Sequence, residues 1–481
     1  SIPIDQGKNN KCWKGKSDKP GKRSWYKTKQ DDEGDNDFER RQLESVHEGS
    51  IPIDQVKNSD DWKNHIDQSN CPKGKYAVCF AYLGTEYQGL QINPGARSIE
   101  SMMERAMLLS GAIQEENYGN LQKIGWTRAA RTDKGVHAIA NCCGMKLKMP
   151  IGGESLQRTR INSFLPSDIR IIAITKTTKS FNAKNKCTRR RYEFLLPTYT
   201  LQLVSTMNEY LKEAKQKQGN IRDAGKPGGY GDPTSLDHLA APALSSVRTN
   251  LVSYRASEET LEKLKETWKS FEGTRRYHNF TSDKSPYDES AKRFMMNCTC
   301  SDPIIAFTGV QFVKLTVIGQ SFLLNQIRKM VGVTVDVVRG AASSEVLEAC
   351  FSPDYKVTVP MVPGVGLYLG ELYFDSYNDK LVNDETFALV KRVGVEETEK
   401  EERVREEEEE REKEKERMSH TETVEMKKEN ECEEEKKEEK VDTSFSRADQ
   451  LNWSSDPLLH EEIENFRSDV LWPHIFREEE K

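Results

Sequence analysis

Two hydrophobic periods alternate along the middle of the chain, and they predict strands and helices in turn. The continuous apolar run from Tyr76 to Tyr82 is typical of a buried strand. Ser98 then precedes apolar residues at helical spacing, which predicts an N-cap and a helix reaching about residue 110. Further strands are predicted at 136–147, 169–174, 191–196, 293–300 and 310–318, and helices at 156–164, 260–271 and 322–339. Strands followed by helices, with antiparallel-looking neighbours, indicate an α+β fold.

Composition limits how much of the chain this fold can include. Only 35% of the 481 residues are hydrophobic and 31% are charged, so a sizeable part cannot be packed interior. We predict a catalytic body at 72–390 with two α+β subdomains and an insertion at 199–245. The flanks are a disordered charged extension (1–70), a charged linker (391–445) and a C-terminal docking helix segment (446–481). The hexapeptide Ser-Ile-Pro-Ile-Asp-Gln occurs at 1–6 and again at 50–55, and we assign it no function.

The net charge of −6 averages unlike segments. Residues 391–440 carry a local net charge of −8, whereas residues 1–29 hold nine Lys/Arg against two Asp. The ten cysteines show no CxxC and no metal-ligand spacing with histidine, which favours reduced, buried thiols in an intracellular protein. No run of 18 apolar residues occurs, so we expect no membrane span. The chain begins with Ser rather than Met, which leaves open a targeting segment ahead of it.

Residues 130–138, Ala-Arg-Thr-Asp-Lys-Gly-Val-His-Ala, contain the most informative carboxylate of the chain. Asp133 follows Arg131 by two residues and precedes a Lys-Gly turn that leads into strand-like sequence. An acid on such a loop, held ionised by nearby cations, suits a nucleophile or general base. The alternative for Asp133 is an ordinary turn residue, and for Arg131 a surface cation.

Three more residues have both a functional and a structural interpretation. Tyr192 follows three arginines on a strand, where it either stacks on a nucleobase or fills the core. Arg328 lies among apolar helix neighbours and either pairs with a carboxylate or phosphate or extends to solvent. His137 is a candidate general base, but the order is wrong for a Ser-His-Asp triad and no GxSxG occurs, which favours a structural hydrogen bond. No P-loop, dinucleotide fingerprint or HExxH occurs.

Taken together, these segments resemble the TruA-type tRNA pseudouridine synthases, in particular the eukaryotic branch. The Asp133 loop is similar to the active-site motif of that family. The other matching segments are spread over about 300 residues in the family's order: Tyr82-Leu-Gly-Thr-Glu-Tyr-Gln-Gly89, Ile161-Asn-Ser-Phe-Leu-Pro166, Phe181-Asn-Ala to Arg191-Tyr192, Tyr277-His-Asn-Phe-Thr281, Asn325-Gln-Ile-Arg-Lys-Met-Val-Gly332 and Pro363-Gly-Val-Gly-Leu-Tyr-Leu369. One departure is Gly273-Thr-Arg275, where relatives often show Gly-Thr-His, and we expect it to affect RNA contacts.

The resemblance implies a pseudouridine synthase fold, with mainly antiparallel sheets flanked by helices around an RNA-binding cleft. It also implies a cofactor-free and metal-free isomerisation of uridine to pseudouridine within RNA. Asp133 would enable cleavage of the N-glycosidic bond, Tyr192 would stack on the flipped base, and Arg328 would pair with the acid. Arg131 would help to flip the nucleotide or fill its place. The expected substrate-binding residues are Leu367, Lys134, His137, Arg189 and Arg191, with Lys184–Arg191 and Arg339 as phosphate contacts.

The expected partner is tRNA, with mRNA or another structured RNA as an alternative, and no membrane. We expect a monomer, although a dimer stays open because bacterial members of the family dimerise. The expected location is nucleus or cytoplasm, with a mitochondrial or plastid form as the alternative. A non-catalytic RNA-binding or RNA-chaperone protein is the competing class, and the pairing of Arg131 and Tyr192 with an acid argues against it. A zinc deaminase lacks its ligand spacing here.

Overall fold

The computed structural model describes residues 50–67, 70–206, 208–209, 248–282, 284–383, 451 and 453–480. The chain divides into two compact units, one made of Ser1–Phe374 and Asn452–Lys481 and the other of Asp375–Leu451. Most of the predicted 199–245 insertion and the predicted 391–445 linker lie outside the described residues. None of the helices in the described ranges is long and apolar enough to cross a membrane.

A ten-stranded sheet forms the centre of the first unit. Eight strands follow the order β4-β1-β3-β10-β5-β9-β7-β6, while β2 pairs with β3 and β8 with β9. All pairs are antiparallel except β3–β10, where Tyr368 lies opposite His137. The strands are β1 Lys73–Tyr82, β2 Thr127–Arg128, β3 His137–Lys148, β4 Ile169–Lys176, β5 Arg189–Pro197, β6 Gly273–Arg276, β7 Lys292–Cys300, β8 Ile304–Ile305, β9 Gln311–Gly319 and β10 Leu367–Tyr373. This mixed sheet with its helices confirms the α+β fold class.

The structure contains a helix at each of the four places where the sequence pattern predicts one, together with further helices. In the first unit they are α1 Ile53–Lys57, α2 Ile99–Leu109, α3 Gly153–Phe164, α4 Ala183–Lys186, α5 Glu258–Lys269, α6 Gln326–Val338, α7 Glu345–Phe351, α9 Pro457–Asn465 and α10 Trp472–Glu480, with a π-helical turn at Phe466–Leu471. Ser98 caps α2 as predicted, because its side chain accepts a hydrogen bond from Ser101 N. The second unit contains α8, Asp375–Asn383, where Asn378 accepts a hydrogen bond from Leu451 N.

Two of the differences between prediction and structure have a clear physical reason. The helix predicted to begin at Phe322 begins instead at Gln326, because Asn325 adopts a left-handed conformation with φ of 61° that interrupts helical geometry. Residues 50–67 lie within the predicted disordered extension, yet they form α1 and a 3₁₀ turn. Burial of Val56 and the hydrogen bond from Ile66 N to Leu109 O hold them against the body.

The C-terminal segment 453–480 covers one face of the sheet. Trp472 Nε1 donates to Tyr368 Oη at 3.1 Å, and Tyr368 Oη donates to buried Glu193 at 2.6 Å. Side chains alternate along a strand, so Glu193 on this face implies that its neighbour Tyr192 faces the opposite side. The sheet therefore has a C-terminal segment on one face and leaves the other face at Tyr192 for a site.

Candidate active site

A cavity of about 780 Å³ lies on the Tyr192 side of the sheet. It brings together five residues that the sequence singled out from distant segments: Arg131, Asp133, Tyr192, Arg328 and Leu367. Its remaining lining includes Phe322, Leu323 and Leu324 from the loop before α6, and Trp126 to Thr132 from the segment before the acid. Residues nearly 240 positions apart in the chain thus share one site.

The loop that carries Asp133 is held by the last residue of β1 and by the segment that follows it. Tyr82 Oη and Thr132 Oγ1 are 2.7 Å apart, and Leu90 N donates to Thr132 O at 3.2 Å. Gly84 and Gly89 permit this close packing: a Cβ at Gly84 would lie 2.1 Å from Val136 O, and one at Gly89 2.8 Å from Thr132 O. Since any other residue would displace the loop, both glycines position the acid.

Asp133 is half-buried and is the sole carboxylate among the residues that line the cavity. Burial raises the pKa of its carboxyl group above the usual value, while the charge of Arg328 and a hydrogen bond from Asn325 N oppose that rise. Burial removes water from the acid, and the cation with the N–H group compensates in part for the lost hydration. The acid is thus held in a partly desolvated environment with positive charge beside it.

Arg328 acts on Asp133 through its charge. Its Nε donates to Val362 O at 2.8 Å, and its Nη1 lies 3.5 Å from Asn325 Oδ1. Burial lowers the pKa of the guanidinium, and the charge of Asp133 raises it. The predicted pairing is therefore an electrostatic one, and the hydrogen bond to Val362 fixes the arginine against the loop before β10.

Tyr192 forms an apolar wall of the cavity. The side chain is 7% exposed, and its ring meets Phe322 edge to face with centroids 5.2 Å apart. Burial raises the pKa of the phenol, and the charge of Asp133 adds to this effect. Buried Leu367, at the start of β10, completes the apolar side. A planar, uncharged ring would find here both an aromatic face and aliphatic contact.

Two residues that shape the cavity lie within segments named from the sequence, which assigns neither of them a role of its own. Arg190 donates to Ala129 O at 2.8 Å and also to Gln320 O, so it joins the Asp133 loop to the loop before α6. Strand alternation could have identified it, because Arg190 shares a face with Tyr192. Asn325, whose N–H group reaches Asp133, is the single non-glycine residue with positive φ among the described residues. A left-handed Asn inside an apparent helix gives no signal in hydrophobic periodicity.

Several predicted substrate-binding residues lie outside the cavity lining. His137 is fully buried, where its Nδ1 accepts from Gly84 N at 3.0 Å and its Nε2 lies 2.9 Å from Val365 O. Arg189 stacks on Tyr373, and Arg191 forms ion pairs with Glu193 and Glu371. Their predicted substrate contact stays a prediction, as does that of exposed Lys134 beside Asp133. His137 forms hydrogen bonds with the backbone of Gly84 and Val365, in agreement with its structural interpretation.

The chain is similar in sequence to known proteins. Residues 268–375 match the family model described as tRNA pseudouridine synthase. The chain is 34% identical to the Pseudouridylate synthase 1 homolog of Mus musculus, with 65% of this chain and 64% of that protein aligned. It is also 34% identical to the tRNA pseudouridine synthase 1 of Yarrowia lipolytica, with 66% of each chain aligned, and to the Pseudouridylate synthase 1 homolog of Homo sapiens, with 64% and 62% aligned.

The chain thus spans slightly less than two thirds of the length of these relatives. The family model covers strands β7, β9 and β10 with helix α6, which contribute Arg328 and Leu367 to the cavity. The relatives, the family model and the motifs read from the sequence agree. Residues 268–375 thus match the tRNA pseudouridine synthase family, and about two thirds of the chain are similar in sequence to proteins named as pseudouridine or pseudouridylate synthases.

Proposed function

We propose that the protein isomerises uridine to pseudouridine within tRNA. The observation that supports this most directly is the convergence of Asp133, Tyr192, Arg328 and Leu367 on one cavity. The similar protein from Yarrowia lipolytica is named a tRNA pseudouridine synthase, and the one from Mus musculus a pseudouridylate synthase homolog, which supports this activity. A half-buried acid in a cavity with an aromatic wall suits chemistry on a base that has left its stack.

The reaction rearranges one nucleotide without any net change in atoms. The N-glycosidic bond between N1 of uracil and C1′ of ribose breaks, and a new bond joins C5 to C1′. The proton lost from C5 is balanced by a proton gained at N1, so no oxidant, reductant or second substrate is consumed. Ionised Asp133 enables the bond cleavage, and its partly desolvated position makes the carboxylate a stronger nucleophile or base than in water.

The cavity walls suit the two halves of a flipped nucleotide. Tyr192, Phe322 and Leu367 offer an apolar slot for the uracil ring, which must be kept in place while it turns. The cavity volume of about 780 Å³ is in the range that small-molecule sites occupy, so it has room for one flipped nucleotide. Exposed Arg131 at the edge of the cavity would help to extrude the nucleotide or replace it in the RNA stack.

Positive charge predominates around this acid. Arg131, Lys184 and Arg190 line the cavity together with Arg128 and Arg328. Phosphate groups of RNA are the natural counterpart of such a cluster, and binding should weaken steeply as salt increases. We therefore propose tRNA as the main partner, with other structured RNA as a further substrate class. A monomeric state, and a nuclear or cytoplasmic location with an organellar form as the alternative, stay predictions. The basic residues 1–29 support an additional RNA or import contact.

Mapping of modified positions tests the proposal. The protein and its Asp133→Asn variant are incubated with unmodified tRNA in EDTA, and pseudouridines are then located as carbodiimide-dependent stops in primer extension. We expect stops with the native protein and none with the variant. Binding of tRNA without stops by either protein would favour the non-catalytic RNA-binding alternative. If the native protein formed pseudouridine without EDTA but not in its presence, the expectation of a metal-free reaction would be overturned.

A further inference from the structure

The first residues of the chain repeat the segment that docks on helix α2. With a shift of 49 positions, residues 1–14 and 50–63 are identical at 10 of 14 places. The identity extends beyond the hexapeptide to Lys8-Asn9 and Trp13-Lys14, which correspond to Lys57-Asn58 and Trp62-Lys63. One copy lies in the described part of the chain, so its contacts show what the motif binds.

The copy at 50–63 is held on the body by both polar and apolar contacts. Ser50 Oγ donates to Glu104 of α2 at 2.7 Å, and Tyr118 Oη donates to Ile51 O at 2.7 Å. Val56 is fully buried, and Lys57 forms an ion pair with Glu115. The motif therefore has a fixed binding surface on the body, formed by α2 and residues 115–119; we call it the α2 surface.

Most of these contacts depend on residues that both copies contain. Ser1 and Lys8 are equivalent to Ser50 and Lys57, and the contact of Ile51 uses only its backbone. The main differences are Gly7 in place of Val56 and Cys12 in place of Asp61. The carboxylate of Asp61 accepts a hydrogen bond from Arg105 at 2.5 Å. Residues 1–14 thus contain the side chains that make two of the polar contacts in the other copy, and they lack its apolar anchor and the carboxylate that pairs with Arg105.

We propose that residues 1–14 are a second ligand of the α2 surface and exchange there with residues 50–63 of the same chain. The 35 residues between the copies bridge up to roughly 115 Å when extended, so chain length does not prevent the exchange. Removal of a fully buried Val side chain weakens binding by about 10- to 100-fold. Residues 50–63 are therefore the main occupant and residues 1–14 the minor one.

A zero-length carbodiimide cross-link of the full-length protein reports which copy is bound. The reagent joins a carboxylate to an amine in direct contact, so Glu115 should link to Lys57 from one copy and to Lys8 from the other. Peptide mass spectrometry distinguishes the two products. In the native chain we expect the Lys57 product to exceed the Lys8 product by about 10- to 100-fold. Lys16, which lies beyond the repeat, gives the background for random contact.

Exchange of the apolar anchor should reverse the preference. In the double variant Gly7→Val and Val56→Gly, the Lys8 product should become the major one. The single variant Gly7→Val leaves residues 50–63 intact and should bring the two products to within about tenfold of each other. A Lys8 yield equal to that of Lys16 in all three proteins would overturn the proposal. Mixing ¹⁵N-labelled with unlabelled protein should give links within one chain, and links only between chains would also overturn it.

Discussion

The carboxylate of Glu100 should control both the stability of the protein and the shape of the cavity wall. It lies on α2, is fully buried and accepts four N–H groups. Trp126 Nε1 donates at 2.8 Å, Ile92 N at 3.1 Å, and Arg128 donates through both Nε and Nη2. Trp126 and Arg128 themselves line the cavity, and their segment continues into the Asp133 loop. The Glu100→Gln substitution preserves the shape of the side chain and removes its charge.

These contacts give the expected loss in the free energy of unfolding. The amide NH₂ of Gln has to face at least one of the donors, and Arg128, whose side chain is 22% exposed, loses its counter-charge. Breaking a buried ion pair from one side costs about 3–5 kcal/mol, and the partial exposure of Arg128 favours the lower end, about 3 kcal/mol. At about 2–3 °C per kcal/mol for a protein of this size, Tm should fall by about 6–9 °C.

Thermal unfolding and single-turnover assays at 20 °C measure the two effects. We expect Glu100→Gln to lower both Tm and the rate of pseudouridine formation, because the wall of the cavity loses its anchor. Glu104→Gln provides the matched control on the same helix, since burial raises the pKa of Glu104 to about 7 and the side chain is then largely neutral near pH 6. A Tm change below 2 °C for Glu100→Gln would refute the reasoning.

Three further predictions follow from the structure. Because the pKa of Glu104 rises from 4.5 to about 7 on folding, stability should fall by about 3 kcal/mol as pH rises through that window, and Glu104→Gln should remove this dependence in urea titrations. If Glu104→Gln kept the same dependence of stability on pH, this assignment of the dependence to Glu104 would be wrong. Arg328→Gln should raise the pKa of Asp133 and move the acid limb of the rate profile to higher pH, whereas Arg328→Lys should move it less. Asn325→Ala should lower stability by about 1–2 kcal/mol in the same titrations, while Asn325→Gly keeps the left-handed turn; equal losses would exclude strain.

The sequence predicts the strands well because their signal is local. Strand β1 is a continuous apolar run, as expected for a strand buried on both faces, and Ser98 marks the start of α2 through its own hydrogen bond. The start of α6 could not be predicted, since residues 322–325 are apolar enough for a helix. Their loop conformation depends on Asn325 and on the Asp133 loop 190 residues away, and such contacts leave no periodic pattern.

The candidate site could be predicted in part for the same reason. The local Arg-Thr-Asp-Lys-Gly setting makes Asp133 a candidate but leaves a turn residue as the alternative. The motifs of the family point to Asp133, Tyr192, Arg328 and Leu367 together. The density of cations before Tyr192 does not distinguish Arg190 from Arg189 and Arg191, whereas the alternation of side chains along the strand does. The structure places the side chain of Arg190 at the cavity and engages the other two elsewhere.

Release of the C5 hydrogen is the most direct measurement of the proposed chemistry. When uracil rejoins ribose through C5, tritium at that position passes to water, so tRNA transcribed with [5-³H]uridine reports each turnover. We predict release by the native protein under single-turnover conditions and none by Asp133→Asn, although both bind the tRNA with similar affinity. Undiminished release by Asp133→Asn, or tight binding without release by the native protein, would contradict the account.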